Sequence, residues 1–165
     1  MESLEIARAR VVLDRLADEK EIAQNFFNKV GERLEDVDKR RWFRRMGQDE
    51  KDQRKILIKH RKELCRDVIG DGPELPVSAG HVILAEITDQ PGHEYVGLLR
   101  IAVRAAEDAR LFCDRASDLI GDRSCRIFLK ILVEESRSHR DELRLELRAE
   151  ERRIAVEAGT EVEAA

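Results

Sequence analysis

The stretch "MGQDEKDQRKIL", residues 46–57, has helical periodicity but places two polar residues where apolar ones are expected. Met46 and Leu57 lie on one stripe of a helix, and Glu50 and Gln53 occupy the same stripe between them. Apolar stripes of this kind face the core of a helical protein. A carboxylate and an amide on this stripe therefore predict a polar group buried between helices.

The composition favours an all-α fold in a single domain. Of the 165 residues, 40% are charged, 42% are hydrophobic and only 4% are aromatic. Helical bundles have this make-up, because apolar stripes alternate with solvated charge. A strand-rich fold would use more Val, Thr, Tyr and turn glycines.

The chain contains four long helical patterns, at roughly residues 3–34, 37–68, 94–119 and 123–155. Tight reversals at "RLEDVDKR" and "IGDRS" join the first pattern to the second and the third to the fourth. The connection over residues 69–93 is long and contains "GDGPELPVSAG", "HVILAEI" and "DQPGH". We therefore expect residues 1–155 to form a ferritin-like four-helix bundle of two antiparallel helix hairpins joined by this crossover. The tail, residues 156–165, is expected to fray.

An internal repeat relates the two hairpins at an offset of 86 residues. Asp36 corresponds to Asp122, and Arg54 corresponds to Arg140. One offset without gaps covers both helices of each hairpin. Two similar hairpins packed about a pseudo-twofold axis would bring equivalent positions together near the centre.

Polar residues interrupt three of the four apolar seams at their middle, and the repeat places the interruptions at equivalent heights. They are Lys20, Glu50, Gln53, Ser136 and His139. An unpaired buried charge costs on the order of several kcal/mol, so this layer must be internally satisfied. One solution is a metal cluster, because Glu-x-x-His spacing puts both side chains on one side of a helix. The other is a metal-free network, in which Lys20 pairs with Glu50 while Gln53, Ser136 and His139 complete the hydrogen bonds.

Four stretches, "EKEIAQNFF", "WFRRMGQDEKDQRKIL", "AAEDARLFC" and "IFLKILVEESRSHRDEL", resemble the helices of the rubrerythrin-like branch of the ferritin-like superfamily. The resemblance implies a diiron site held by one Glu from each of the first and third helices and by E-x-x-H from the second and fourth. It also implies peroxide reduction or iron oxidation. The residues at the six ligand positions are Lys20, Glu50, Gln53, Ala106, Ser136 and His139. Two ligands are therefore retained, and no rubredoxin-like pair of CxxC motifs follows the bundle.

The sequence is compatible with two functions. The first is a non-catalytic structural or interaction protein without a cofactor. The second is a metal-binding oxidoreductase, or an iron- or peroxide-handling protein, in which Glu50, His139 and a neighbouring acid hold iron or another divalent metal. The acids next to the ligand positions lie about 100° around their helices and are expected to face solvent or a neighbouring helix. They are Glu19, Glu21, Glu107 and Glu135.

Charge, cysteine content and the crossover sequence predict the location of the protein and the kind of partner it has. The formal charge is −4, and the basic run "KRRWFRR", residues 39–45, is interpreted as a solvated helix face, so no nucleic-acid partner is expected. The first helix is too charged for a signal peptide or a membrane span. The three cysteines form no CxxC pair, which favours a reducing compartment. "HVILAEI" lies outside the seams and favours a homo-oligomer, most simply a dimer. His81 and His93 are expected at the surface or as caps, and Cys113 is expected to be buried.

Overall fold

The computed structural model describes residues 2–67, 73–90 and 92–164. Within these ranges the chain forms five helices and no strands, and the all-α prediction is confirmed. The helices are α1 (Glu2–Arg33), α2 (Val37–Leu64), α3 (Ala79–Thr88), α4 (Tyr95–Leu119) and α5 (Arg123–Ala164). Helix α5 extends through most of the segment that was expected to fray. Residue 68 of the second predicted helix, residues 69–72 and 91 of the predicted crossover, and residues 1 and 165 lie outside the described residues.

Two helices begin at equivalent aspartates of the repeat. Asp36 Oδ1 accepts hydrogen bonds from the backbone N–H groups of Asp38 and Lys39, at 2.8 and 3.0 Å. Asp122 Oδ1 accepts one from the N–H of Cys125 at 2.7 Å. A side-chain oxygen at this position satisfies N–H groups that have no partner inside the helix. The offset of 86 residues therefore relates two helix starts that use the same cap.

The helices pack in a defined set of pairs. Helix α1 packs mainly on α2, α4 packs mainly on α5, and α3 packs on both α1 and α4. Helix α3 contains "HVILAEI", so this part of the crossover folds on its own chain, with Leu84 and Ile87 buried. It approaches α4 closely at Gly80, where an added Cβ would lie 3.1 Å from the Cα of Ala105.

The core consists of two hydrophobic clusters. One includes Leu16, Leu57 and Leu132, and the other includes Ala23, Met46 and Leu143. On α1, α2 and α5, the predicted polar residues lie in sequence between members of one cluster and members of the other. The polar layer therefore divides the core.

All three cysteines are free thiols buried in the protein. Burial disfavours the thiolate and raises the pKa of Cys113 to about 12 and that of Cys125 to about 11. Burial also raises the pKa of Cys65. The predicted burial of Cys113 is confirmed.

Candidate functional site

The structure buries all five residues of the predicted polar layer. Lys20 comes from α1, Glu50 and Gln53 come from α2, and Ser136 and His139 come from α5; each is at most 6% exposed. These residues interrupt apolar seams at helical spacing, and for this reason helix formation turns them toward the centre.

Glu50 is the centre of an ionic chain through the layer. Lys20 Nζ lies 3.0 Å from Glu50 Oε2, and His139 Nδ1 lies 3.0 Å from Glu50 Oε1. The other ring nitrogen of His139, Nε2, lies 3.2 Å from Asp49 Oδ2. Both ring nitrogens therefore face carboxylate oxygens, and a protonated imidazole donates to both. The predicted ion pair between Lys20 and Glu50 is present.

The pKa values of these groups favour charged partners. Burial alone would raise the pKa of Glu50, but Lys20 and His139 outweigh it and hold this pKa at about 2. Burial opposes the charge on His139, but its bonds to Glu50 and Asp49 raise its pKa above the ordinary value. Burial likewise disfavours the charged form of Lys20. The carboxylate of Glu50 outweighs burial and raises the pKa of Lys20 above its ordinary value. Basic and acidic side chains therefore alternate along this ionic chain, in the order Lys20, Glu50, His139 and Asp49.

Gln53 and Ser136 do not complete this network, so that part of the prediction is wrong. Gln53 Nε2 donates to Glu135, outside the ionic chain. Within the described part of the protein, Gln53 Oε1 and Ser136 Oγ are buried and have no hydrogen-bond partner.

Two further polar residues, Glu19 and His81, are buried next to the layer. Glu19 was expected to face solvent or a neighbouring helix, and His81 was expected at the surface or as a cap. Glu19 Oε1 accepts from Arg15 Nε at 3.1 Å and from the backbone N–H of Ser78 at 2.9 Å. His81 Nδ1 lies 2.7 Å from the Ser78 hydroxyl, which caps α3. Burial lowers the pKa of His81, so this ring is neutral at neutral pH. Both residues are buried because α3 docks on the bundle. The apolar periodicity of the four long helices does not predict where α3 docks.

A small cavity adjoins the layer beneath α3. Its volume is about 20 Å³, and its polar lining comes from Lys20, Glu50, His81, Ser136 and His139. Alanines of α4 form much of its remaining wall. This volume is close to the minimum that holds one water molecule, so this cavity admits no larger substrate. On another side of the layer, a more open cavity of about 500 Å³ is lined by Asp49, Gln53 and His139.

The residues of the layer do not fit the diiron centre that the family resemblance implies. A bridging carboxylate must offer oxygens to metal, but both oxygens of Glu50 contact cationic groups. Helix α1 supplies an ammonium at a ligand position, and an ammonium repels a dication. Across the described residues, no group of three or more His, Cys, Asp or Glu side chains is placed to hold a metal ion.

No protein-family model, curated protein or solved structure matches this chain.

Proposed function

We propose that this chain is a ferritin-like four-helix bundle of the rubrerythrin-like branch. The contacts between α1 and α2 support antiparallel packing. Asp14 of α1 pairs with Arg61 of α2, and Glu21, farther along α1, pairs with Arg54, which lies earlier in α2. The repeat is also reflected in side-chain pairs. The pair of Glu21 and Arg54 has its equivalent 86 residues later in Glu107 and Arg140.

The function that the site supports best is a non-catalytic structural or interaction protein, in which an ionic layer replaces the diiron site. The observation that carries this proposal is the Lys20 ammonium, 3.0 Å from Glu50 Oε2 in the buried core. It supplies positive charge at a position where the family has a metal ligand. The cavity that Lys20 lines has a volume of only about 20 Å³, which agrees with a layer that holds the bundle in register.

A second candidate is a metal-binding oxidoreductase with a remodelled site. Asp49 favours it, because this partly exposed carboxylate lies 3.2 Å from His139 Nε2. Asp49, Glu50 and His139 would then be the ligands of iron or another divalent metal. Metal binding would require His139 to release Glu50 or Asp49 from the ring nitrogen that binds the metal, and Glu50 to release Lys20 or His139 from a carboxylate oxygen. This candidate therefore ranks second.

Metal content separates the two candidates. The protein is purified without chelator, incubated with ferrous iron in air and analysed for bound metal. We expect no stoichiometric metal and an intact helical fold. About one metal per chain, lost in His139→Ala, would establish the remodelled site. About two irons per chain with an oxo-bridge absorption band would overturn the proposal.

A back-substituted variant tests whether these positions form the former metal site. Lys20→Glu, Gln53→His and Ser136→Glu together restore three of the family ligands. We expect this triple variant to bind more iron than the parent. Arg104→Glu, at an exposed position of α4, is the control for added negative charge and should bind no more than the parent. If the triple variant binds no more than this control, the assignment of the layer to the former site fails.

The proposal includes a homo-oligomer, with a dimer favoured, in the cytoplasm and without a nucleic-acid partner. No described helix is long and apolar enough to cross a membrane. Sedimentation equilibrium over a range of protein concentrations measures the mass directly. A species of twice the chain mass of 19.0 kDa is expected, and a monomer at all concentrations would exclude the dimer.

A further inference from the structure

A row of cations follows the outer face of α2, far beyond the basic run at its start. All six members are exposed: Arg41, Arg44, Lys51, Lys55, Lys59 and Lys62. At 100° per residue they fall within a sector of about 80°, and the row extends over about 32 Å. We call it the cationic row.

Little of this charge is neutralised within the protein. Three of the six cations have a carboxylate of the same helix 4.0 Å away, and their side chains are 66–78% exposed. Ion pairs this long between exposed side chains contribute little. The other three, Arg44, Lys51 and Lys62, have no ion pair among the described residues. The row therefore presents its charge to solvent.

The charge of the row contrasts with that of the remaining chain. Helix α2 holds eleven Lys and Arg against five Asp and Glu, a formal charge of +6, whereas the whole chain carries −4. The rest of the protein therefore carries −10. The positive charge of the protein is therefore concentrated on α2, where an anionic partner would be attracted.

The spacing of the row also selects among anionic partners. The cations recur on average about every 6 Å, at intervals of about 4.5 to 10.5 Å, and a helix with one acidic residue per turn presents a charge about every 5.4 Å. Duplex DNA presents one about every 1.7 Å of its axis. The row contains no aromatic side chain on which a single-stranded base could stack. We propose that the cationic row binds an acidic helical segment of a partner protein.

This binding surface is separate from the buried layer. The row lies on the exposed side of α2, whereas Glu50 and Gln53 lie on its buried side. Metal content of the layer and peptide binding to the cationic row can therefore be tested separately. A negative result in one test does not contradict the proposal that the other examines.

The test uses two fluorescein-labelled peptides of about 25 residues and identical composition, long enough to span the row. In the first, glutamates recur once per helical turn on one face; in the second, their order is scrambled. Fluorescence anisotropy at low salt should show at least tenfold tighter binding of the ordered peptide. The variant with Lys51→Glu, Lys55→Glu and Lys59→Glu should lose at least tenfold in affinity for it. Binding should weaken as salt is added, because exposed charges are screened.

A matched control reverses three exposed cations of α5, with Lys130→Glu, Arg144→Glu and Arg148→Glu. This variant should bind the ordered peptide within about twofold of the parent, and circular dichroism should show unchanged helicity in both variants. Equal binding of the two peptides would overturn the proposal, as would an equal loss in the control. Tighter binding of a short DNA duplex, or self-association abolished only by the α2 reversals, would assign the row to nucleic acid or to a second copy instead.

Discussion

Lys20 and Lys29 both lie on α1 and form ion pairs with other helices or loops, but only Lys20 is buried. Removing one partner of a buried ion pair costs about 3–5 kcal/mol, because the remaining charge has no partner. Lys20→Met should therefore lower the free energy of unfolding by about this amount, measured by urea denaturation. Glu50→Gln added to that variant should restore part of the loss, since it removes the unpaired carboxylate.

Lys29→Met is the control for this prediction. Lys29 Nζ lies 2.6 Å from Asp89 Oδ1, but the two side chains are 48% and 72% exposed. Exposed pairs contribute about 0–1 kcal/mol even at good distance, so this variant should lose less than about 1 kcal/mol. Equal losses in both variants would show that burial of Lys20 does not set the energy of its ion pair.

Glu50 should contribute to the acid sensitivity of the protein. Its pKa is about 2 in the folded chain against an ordinary value of 4.5. A depressed pKa stabilises the fold above the ordinary value, and the stabilisation is lost as the pH falls from about 4.5 toward 2. The shift corresponds to a contribution on the order of 3 kcal/mol. In urea denaturation, the difference in stability between the parent and Glu50→Gln should be constant from about pH 5 to about pH 6, where His139 is protonated, and should shrink below about pH 5; a constant difference from about pH 5 to about pH 2 would contradict the shift.

At the scale of an element, Gly80 and Gly97 predict opposite effects of the same substitution. A Cβ at Gly80 would lie 3.1 and 3.2 Å from the Ala105 backbone, which cannot move aside easily. Gly80→Ala should therefore push α3 from α4 and cost about 1–3 kcal/mol. Nothing lies within 4 Å of a Cβ at Gly97, so Gly97→Ala in α4 should gain about 0.5–1 kcal/mol from helix propensity.

Urea denaturation measures both changes, and hydrogen exchange locates them. The amides of α3 should exchange faster in Gly80→Ala and at unchanged rates in Gly97→Ala. If Gly80→Ala is as stable as the parent and protects α3 equally, the close approach of the two helices is not a packing constraint.

Helix α3 also marks the limit of what the sequence predicts. Apolar periodicity was sufficient to predict the four long helices and to place Lys20 beside Glu50, because both follow from spacing along a helix. The burial of Glu19 and His81 depends on how a ten-residue helix docks across two others. That docking rests on close contact at Gly80 and on hydrogen bonds to Ser78, and neither has a periodic signature.

At the scale of the whole molecule, the polar layer separates two apolar clusters that could otherwise be continuous. Replacing a buried ionic group by apolar residues of similar size is often neutral, or stabilises by about 1–4 kcal/mol. The triple variant Lys20→Met, Glu50→Met and His139→Leu should therefore be at least as stable as the parent, although Lys20→Met alone is not. Asp49 loses His139 there but keeps Arg45, whose Nη1 lies 3.6 Å from Asp49 Oδ2, and its side chain is 38% exposed.

Thermal and urea denaturation of this triple variant measure whether the layer stabilises the fold. A loss as large as that of Lys20→Met alone would mean that the intact layer contributes net stability. A gain in stability accompanied by a loss of unique packing, seen in amide spectra, would assign the layer a role in selecting one arrangement of the helices.

The reactivity of the three buried thiols reports on local unfolding of the protein. The thiolate is the form that attacks a thiol reagent, and here burial raises the pKa of each thiol as well as restricting access to it. Modification therefore follows opening of the surrounding structure. Cys65 at the end of α2, Cys113 within α4 and Cys125 near the start of α5 lie in three different segments. Their separate labelling rates, read by peptide mass spectrometry, would time the opening of each segment without any introduced probe.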